Sequence, residues 1–160
     1  MSATEAVQRV RDALAAAGQS VQIVEFAEST RTADDAARAV GTTAGSIVKS
    51  LVFVAGEAPI LVLVSGDNRL DVKKLSSFVG QKVRRASADE AQAASGFAIG
   101  GVPPLGHPRA LPVYVDDDLL GYDLVYAAAG TPHAVFAIAP AALVKATGGI
   151  VLDLAQRVQS

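Results

Sequence analysis

Apolar positions along the chain alternate between two periods, and each change of period marks a new element. Val7, Val10, Leu14 and Ala17 recur at helical spacing, which predicts an amphipathic helix over residues 4–17 with Gly18 just past its end. Residues 21–26 alternate like a strand. Thr32 can cap a short helix over 33–40, with Asp34 and Asp35 in its first turn and Gly41 stopping it. Residues 47–55 and 59–65 are strand-like runs joined at Gly56-Glu57, a predicted hairpin. Residues 71–79 read as helix closed by Gly80, and Ser87 with Glu90 forms a capping box for a helix reaching Ser95. Strands are expected near 111–115, 123–128 and 133–138. Pro140 then stands at a first helical position, with residues 141–147 following and Gly148-Gly149 ending the run. No repeat, low-complexity tract or linker interrupts this order, so one mixed α/β domain spanning 1–160 is expected.

Composition sharpens the picture. Hydrophobic residues make up 51% of the 160 positions and aromatic ones only 5%, so the core must be built from Ala, Val, Leu and Ile. Few rings also weaken any reading that depends on stacked bases. Cysteine is absent, which removes disulfides, a thiol nucleophile and cysteine-based zinc sites. With two histidines and no His-x-x-x-His spacing, neither a metal nor another cofactor is expected. There is no signal-peptide pattern and no apolar run of membrane-spanning length, so a cytoplasmic protein is the default expectation.

A net charge of −2 argues against a protein that coats nucleic acid broadly. The charge is nonetheless uneven. Arg69, Lys73, Lys74, Lys82, Arg84 and Arg85 crowd one stretch, and Asp116, Asp117, Asp118 and Asp123 form an acidic patch. The basic stretch reads either as a solvated helix face with an edge strand or as a footprint for a phosphate backbone.

Two features carry candidate chemistry. Three glycines and two prolines fall within Gly100-Gly101-Val102-Pro103-Pro104-Leu105-Gly106-His107, a composition that excludes helix and ordinary strand. Such a loop is either a rigid connection or a surface that holds a polar ligand through main-chain groups. The other feature is Lys49, inside Ile47-Val48-Lys49-Ser50-Leu51-Val52-Phe53-Val54. Alternation puts it on a face with Ile47, Leu51 and Phe53. It is either an edge-strand lysine whose head reaches solvent or an ammonium directed into a cleft to meet an anion or an ester carbonyl. His107 is expected to be exposed in or near the loop, and His133 sits in a second turn, Ala129-Gly130-Thr131-Pro132-His133. No dinucleotide or Walker fingerprint follows the strand ending at Ser65.

Together these segments resemble the YbaK/prolyl-tRNA-synthetase-associated editing-domain family of aminoacyl-tRNA deacylases. The resemblance runs from Thr32 to Asp153. It includes Thr32-Ala33-Asp34-Asp35-Ala36-Ala37, the Lys49 strand, Leu61-Val62-Leu63-Val64-Ser65-Gly66-Asp67, Lys73-Lys74-Leu75, the glycine-proline loop, Leu111-Pro112-Val113 with Asp116, and Ala129-Gly130. It implies a curved, barrel-like mixed sheet flanked by helices. The implied reaction is hydrolysis of the ester on a mischarged tRNA, with water or a ribose hydroxyl positioned for attack. Lys49 matches the family's essential lysine. Gly100, Gly101, Val102, Pro103, Pro104 and Gly106 would line the amino-acid pocket, Gly130 would admit the substrate, and His133 would cap it. The six basic residues would contact tRNA, and the extent of the match implies a free-standing, trans-acting form that finds tRNA unaided or through a synthetase partner. Alanine, cysteine, serine, threonine and non-protein amino acids all stay open as the residue removed, on tRNA(Pro) or another tRNA. A non-catalytic module that binds tRNA or a synthetase is the competing reading, and a hydrolase of small aminoacyl esters is a third.

Overall fold

The computed structural model describes residues 1–157. Helices α1 (Ala3–Ala16), α2 (Ala33–Val40), α3 (Val72–Val79), α4 (Ala88–Ser95) and α5 (Pro140–Thr147) alternate with strands β1 (Ile23–Glu25), β2 (Val48–Ala55), β3 (Ala58–Ser65), β4 (Val83–Arg85), β5 (Val113–Asp116), β6 (Val125–Ala128), β7 (Ala134–Ile138) and β8 (Ile150–Leu152). The expected caps are present. Ser2, Thr32, Asp71 and Ser87 each accept a hydrogen bond from a backbone N–H in the first turn of the following helix, and the Ser87–Glu90 capping box is complete. Gly41, Gly80, Gly96 and Gly148 end four helices in the left-handed conformation that glycine adopts without penalty.

The strands form a five-stranded sheet in the order β4-β2-β3-β5-β8 and a three-stranded sheet in the order β1-β7-β6. β2 pairs antiparallel with β3 and β4, whereas β3–β5 and β5–β8 are parallel, so the larger sheet is mixed. The two sheets meet at a single parallel bridge, Ile47 to Tyr126, and do not close into a barrel. β4 is the edge strand that one reading of the basic stretch expected, whereas β8 is a short edge strand that the hydrophobic pattern leaves unassigned.

Alternation on β2 and β3 divides the core. Val48, Val52, Val54, Leu61 and Leu63 face a large cluster with α1, β6, β7 and Leu143 of α5. Phe53, Ala55, Ile60, Val62 and Val64 face a second cluster with Leu70, Leu75 of α3 and Leu154. β3 is buried on both faces, which accounts for its unbroken apolar run. The sheet therefore holds β2 rigidly from one side while its other edge carries the features that follow.

Candidate active site

A cavity of about 420 Å³ opens along the free edge of β2. β4 pairs only with Phe53–Ala55, and the bridge to β6 engages Ile47, so the strand between them lacks a neighbour. Ala86 N–H donates to the Val52 carbonyl at 3.1 Å and closes one end of the gap. In an antiparallel strand a residue's N–H and C=O point to the same side. With Val52 directed toward the gap, the main-chain groups of Ser50 are directed there too. The walls are completed by residues 30–33, by Ile99, Gly100 and Val102, and by residues 126–128 of β6. Most lining side chains are small and apolar, among them Ala36, Ala86, Ala91 and Ala127. Among the described residues three cations, Arg31, Lys49 and Arg85, line the cavity, and no carboxylate does.

Lys49 is half-buried, and its Nζ donates to the Asn68 carbonyl at 2.5 Å. The Asn68 side-chain amide donates in turn to Asp116 Oδ2 at 2.8 Å and Asp118 Oδ2 at 2.7 Å. Asp116 is fully buried and also accepts from the backbone N–H groups of Ser65 and Asp118, each at 3.0 Å. Desolvation pulls the Lys49 pKa below its ordinary value. The Asp116 charge opposes that pull, the nearby Arg85 adds to it, and Asp67 weakly opposes it. The result is a fixed cation beside an apolar wall, where an anion or a developing oxyanion is favoured more than in water.

This geometry coincides with sequence and structural likeness. The aminoacyl-tRNA editing domain model matches residues 27–146. The chain belongs to the aminoacyl-tRNA editing domain family. YwhH of Bacillus subtilis is 34% identical over 119 residues, covering 74% of this chain and 76% of that protein. EbsC of Enterococcus faecalis, named as a candidate Cys-tRNA(Pro)/Cys-tRNA(Cys) deacylase, is 30% identical over 129 residues, covering 78% and 79%. A crystal structure described as a candidate trans-editing enzyme for prolyl tRNA synthetase superimposes with a TM-score of 0.92 at 49% identity, covering 98% of this chain and 99% of the other. A proline–tRNA ligase of Lactobacillus gasseri is 34% identical over 104 residues, 64% of this chain but only 18% of the ligase.

Within the editing domain, the residues singled out from sequence fall in different places. Lys49, Gly100 and Val102 line the cavity. Gly100 has φ 94°, and the Arg31 side chain lies across its open face. The remaining loop residues stand behind the wall. A Cβ on Gly101 would come within 2.6 Å of the Thr131 backbone, so that glycine is a packing contact between two turns. Pro103 and Pro104 are buried, and Gly106 sits over α1. Gly130, at φ 99°, is covered by the Ala6 carbonyl and the Phe97 ring rather than by open space. His133 is exposed beyond the cavity lining, with Nδ1 3.0 Å from the Glu28 carbonyl.

His107 differs from the expectation of an exposed side chain. It is half-buried, edge-on to Phe97, and its Nε2–H donates to the Pro103 carbonyl at 2.8 Å. The physical reason is that the two prolines bend the loop back over α1 and leave the Pro103 carbonyl in need of a donor. Burial pulls the His107 pKa down, and the bond to Pro103 partly offsets this.

The basic stretch is not uniform. Arg84 forms a two-pronged pair with Glu90, and Lys74 is held by Asp153 and the Ala155 carbonyl. Arg69, Lys73, Lys82 and Arg85 are exposed, and Arg85 also lies over the Phe53 ring. Asp116 is the largest departure within the acidic patch, since it is buried under Asn68 and not solvated. Sequence reasoning missed Ser50, Asn68, Arg31 and Tyr126 as parts of the site. Asn68, Arg31 and Tyr126 have no spacing signal, because they arrive from a turn, a loop and the junction of the two sheets, and Ser50 adjoins Lys49 but shows its unpartnered hydroxyl only in the fold. Among the described residues no helix is long and apolar enough to cross a membrane.

Proposed function

We propose that this editing domain hydrolyses in trans the ester between a small misattached amino acid and the 3′ end of tRNA, with tRNA(Pro) the favoured carrier. The observation that carries the reading is the cavity, in which Lys49 and two arginines face small apolar residues with no carboxylate among them. The cations suit the phosphate-bearing acceptor end, and the alanine-rich wall suits a short side chain. An aminoacyl ester is already activated, so positioning a water or a ribose hydroxyl beside a fixed cation is sufficient chemistry. Lys49 steadies the charge that develops on the ester. Gly100 and Val102 shape the amino-acid side of the cavity. Gly101, Pro103, Pro104, Gly106 and Gly130 hold that wall in place from behind. Arg69, Lys73, Lys82 and Arg85 contact the acceptor stem, whereas Arg84 and Lys74 are already ion-paired.

The likeness to proteins named for Cys-tRNA deacylation and prolyl trans-editing supports this assignment, and a synthetase partner is consistent with it. A second site of this kind has a physical rationale: one methylene in a synthetase pocket is worth only ~1–3 kcal/mol, so small amino acids escape a single selection step.

The test is deacylation of tRNA(Pro) charged with alanine, cysteine, serine or threonine, alongside the methyl esters of the same amino acids. Turnover of at least one charged tRNA with little turnover of the free esters is expected. Binding of charged tRNA with no hydrolysis above the uncatalysed rate would replace the reading with a non-catalytic module.

A further inference from the structure

Ser50 adjoins Lys49 on β2 but faces the other way. Alternation places its side chain with Val48 and Val52, both of which line the cavity, and with the large core cluster that those two valines join. Among the described residues its hydroxyl is the one buried side-chain polar group without a hydrogen-bond partner. Such groups are uncommon, and each costs folding free energy that a neighbouring residue of the right type would recover. Val48, Val52, Ala86, Ala91, Val102 and Ala127 line the cavity, belong to that same cluster, and carry no polar side chain. The main-chain groups of Ser50 face the unpaired edge of the same strand. Ser50 thus sets an unpartnered hydroxyl in the apolar part of a cavity whose cations are Arg31, Lys49 and Arg85.

Resting on the reading of the cavity as an aminoacyl-ester site, we propose that Ser50 is a specificity-determining residue that selects amino acids carrying oxygen or sulfur at the γ position, namely serine, threonine and cysteine, over those with a methyl there. The small apolar lining limits the side chain by size. The Ser50 hydroxyl then supplies the hydrogen bond that separates a hydroxyl or thiol from a methyl group of nearly the same volume. A pocket that only measures volume discriminates weakly between isosteres, whereas one with a polar group awaiting a partner rejects the analogue that cannot supply it. A serine hydroxyl both donates and accepts, so it can pair with a hydroxyl in either sense and with the weaker thiol.

The experiment charges one tRNA(Pro) in turn with cysteine, serine, alanine and 2-aminobutyrate, the last having a methyl in place of the thiol or hydroxyl. Relative kcat/KM values are measured for wild type, Ser50→Ala and Ser50→Thr, with thermal unfolding of each to confirm folding. Wild type is expected to prefer the cysteinyl and seryl esters over the aminobutyryl ester by about tenfold, the scale of one net hydrogen bond. Ser50→Ala is expected to collapse that ratio toward unity, and Ser50→Thr to keep most of it. The proposal is overturned if wild type treats the isosteres alike, or if folded Ser50→Ala keeps the preference; the deacylase reading survives either result. Hydrolysis of none of the four esters removes that reading and the proposal with it.

Discussion

Replacing Lys49 by Met removes the ammonium and leaves most of the apolar stem, which isolates charge from packing. Two opposing contributions set the effect on stability. The charged hydrogen bond to the Asn68 carbonyl is worth ~1.5–3 kcal/mol. Against it stands the cost of holding a half-buried ammonium out of water, partly offset by the Asp116 charge. The difference leaves a net loss of about 1 kcal/mol, which corresponds to a Tm lowered by about 2–4 °C for a chain of this size. Catalysis is expected to respond far more. Loss of a fixed donor beside a developing oxyanion costs about 10²–10³-fold in rate. The assay is kcat/KM for deacylation of mischarged tRNA(Pro) together with thermal unfolding by circular dichroism. The pH dependence adds a second check. Because the folded pKa lies below the lysine's ordinary value, activity that needs the ammonium falls as pH rises through that lowered pKa. Between the lowered and the ordinary value the unfolded chain binds more protons, so this group's contribution to stability increases with pH over the same window. Activity and stability should therefore move in opposite directions. A loss of less than tenfold in kcat/KM, or a Tm drop above about 10 °C, would refute the reasoning, the first by removing Lys49 from catalysis and the second by making it structural.

Asp116→Ala leaves the Ser65 and Asp118 N–H groups without their acceptor and the Asn68 amide with only Asp118, and should cost ~3 kcal/mol or more in urea unfolding. His107 has a folded pKa below its ordinary value, so its stabilising contribution is full above the unfolded pKa and is lost as pH falls through the window down to the folded one. The stability gap between wild type and His107→Gln, measured by urea unfolding at pH 7.5 and 5, should narrow at the lower pH; an unchanged gap would remove the loop-clamp role. Salt should raise KM for charged tRNA, and Arg85→Gln should flatten that log–log dependence by about 1 unit. Lys74→Gln should leave the slope unchanged, because its ammonium is already engaged by Asp153 and the Ala155 carbonyl.

Much of the fold was legible because its signals are local. Thr32, Ser87 and Pro140 mark helix starts, the αL glycines mark helix ends, and Gly56-Glu57 marks the hairpin turn. Lys49 was legible for a different reason: a charge in an apolar strand is costly unless something receives it. What receives it was not, since Asn68 and Asp116 reach it only through the turn after β3 and the parallel pairing of β5. The glycine-proline loop shows the limit of composition. Its glycines do permit close approach, yet at Gly101 and Gly130 the approaching atoms belong to Thr131, Ala6 and Phe97. A sequence states that a Cβ is missing; only the assembled chain states what occupies its place. The short edge strand β8 is set by the partner it finds, β5, and carries no pattern of its own.

The placement of the cavity on one hairpin also orders events in time. β2 and β3 are consecutive and pair along their full length, so they need only a tight turn to come together, on the microsecond scale typical of hairpins. The opposing wall, Tyr126 to Ala128 with Val135, arrives from the second half of the chain and pays the entropy of closing a long loop. During synthesis the free edge of β2 therefore emerges well before anything can cover it. An uncovered strand edge flanked by valines is a template for pairing with other chains. The positive charge at Lys49 stands beside that edge from the start, and Arg85 joins it once β4 has emerged, so two cations that line the finished cavity are also placed to oppose such pairing.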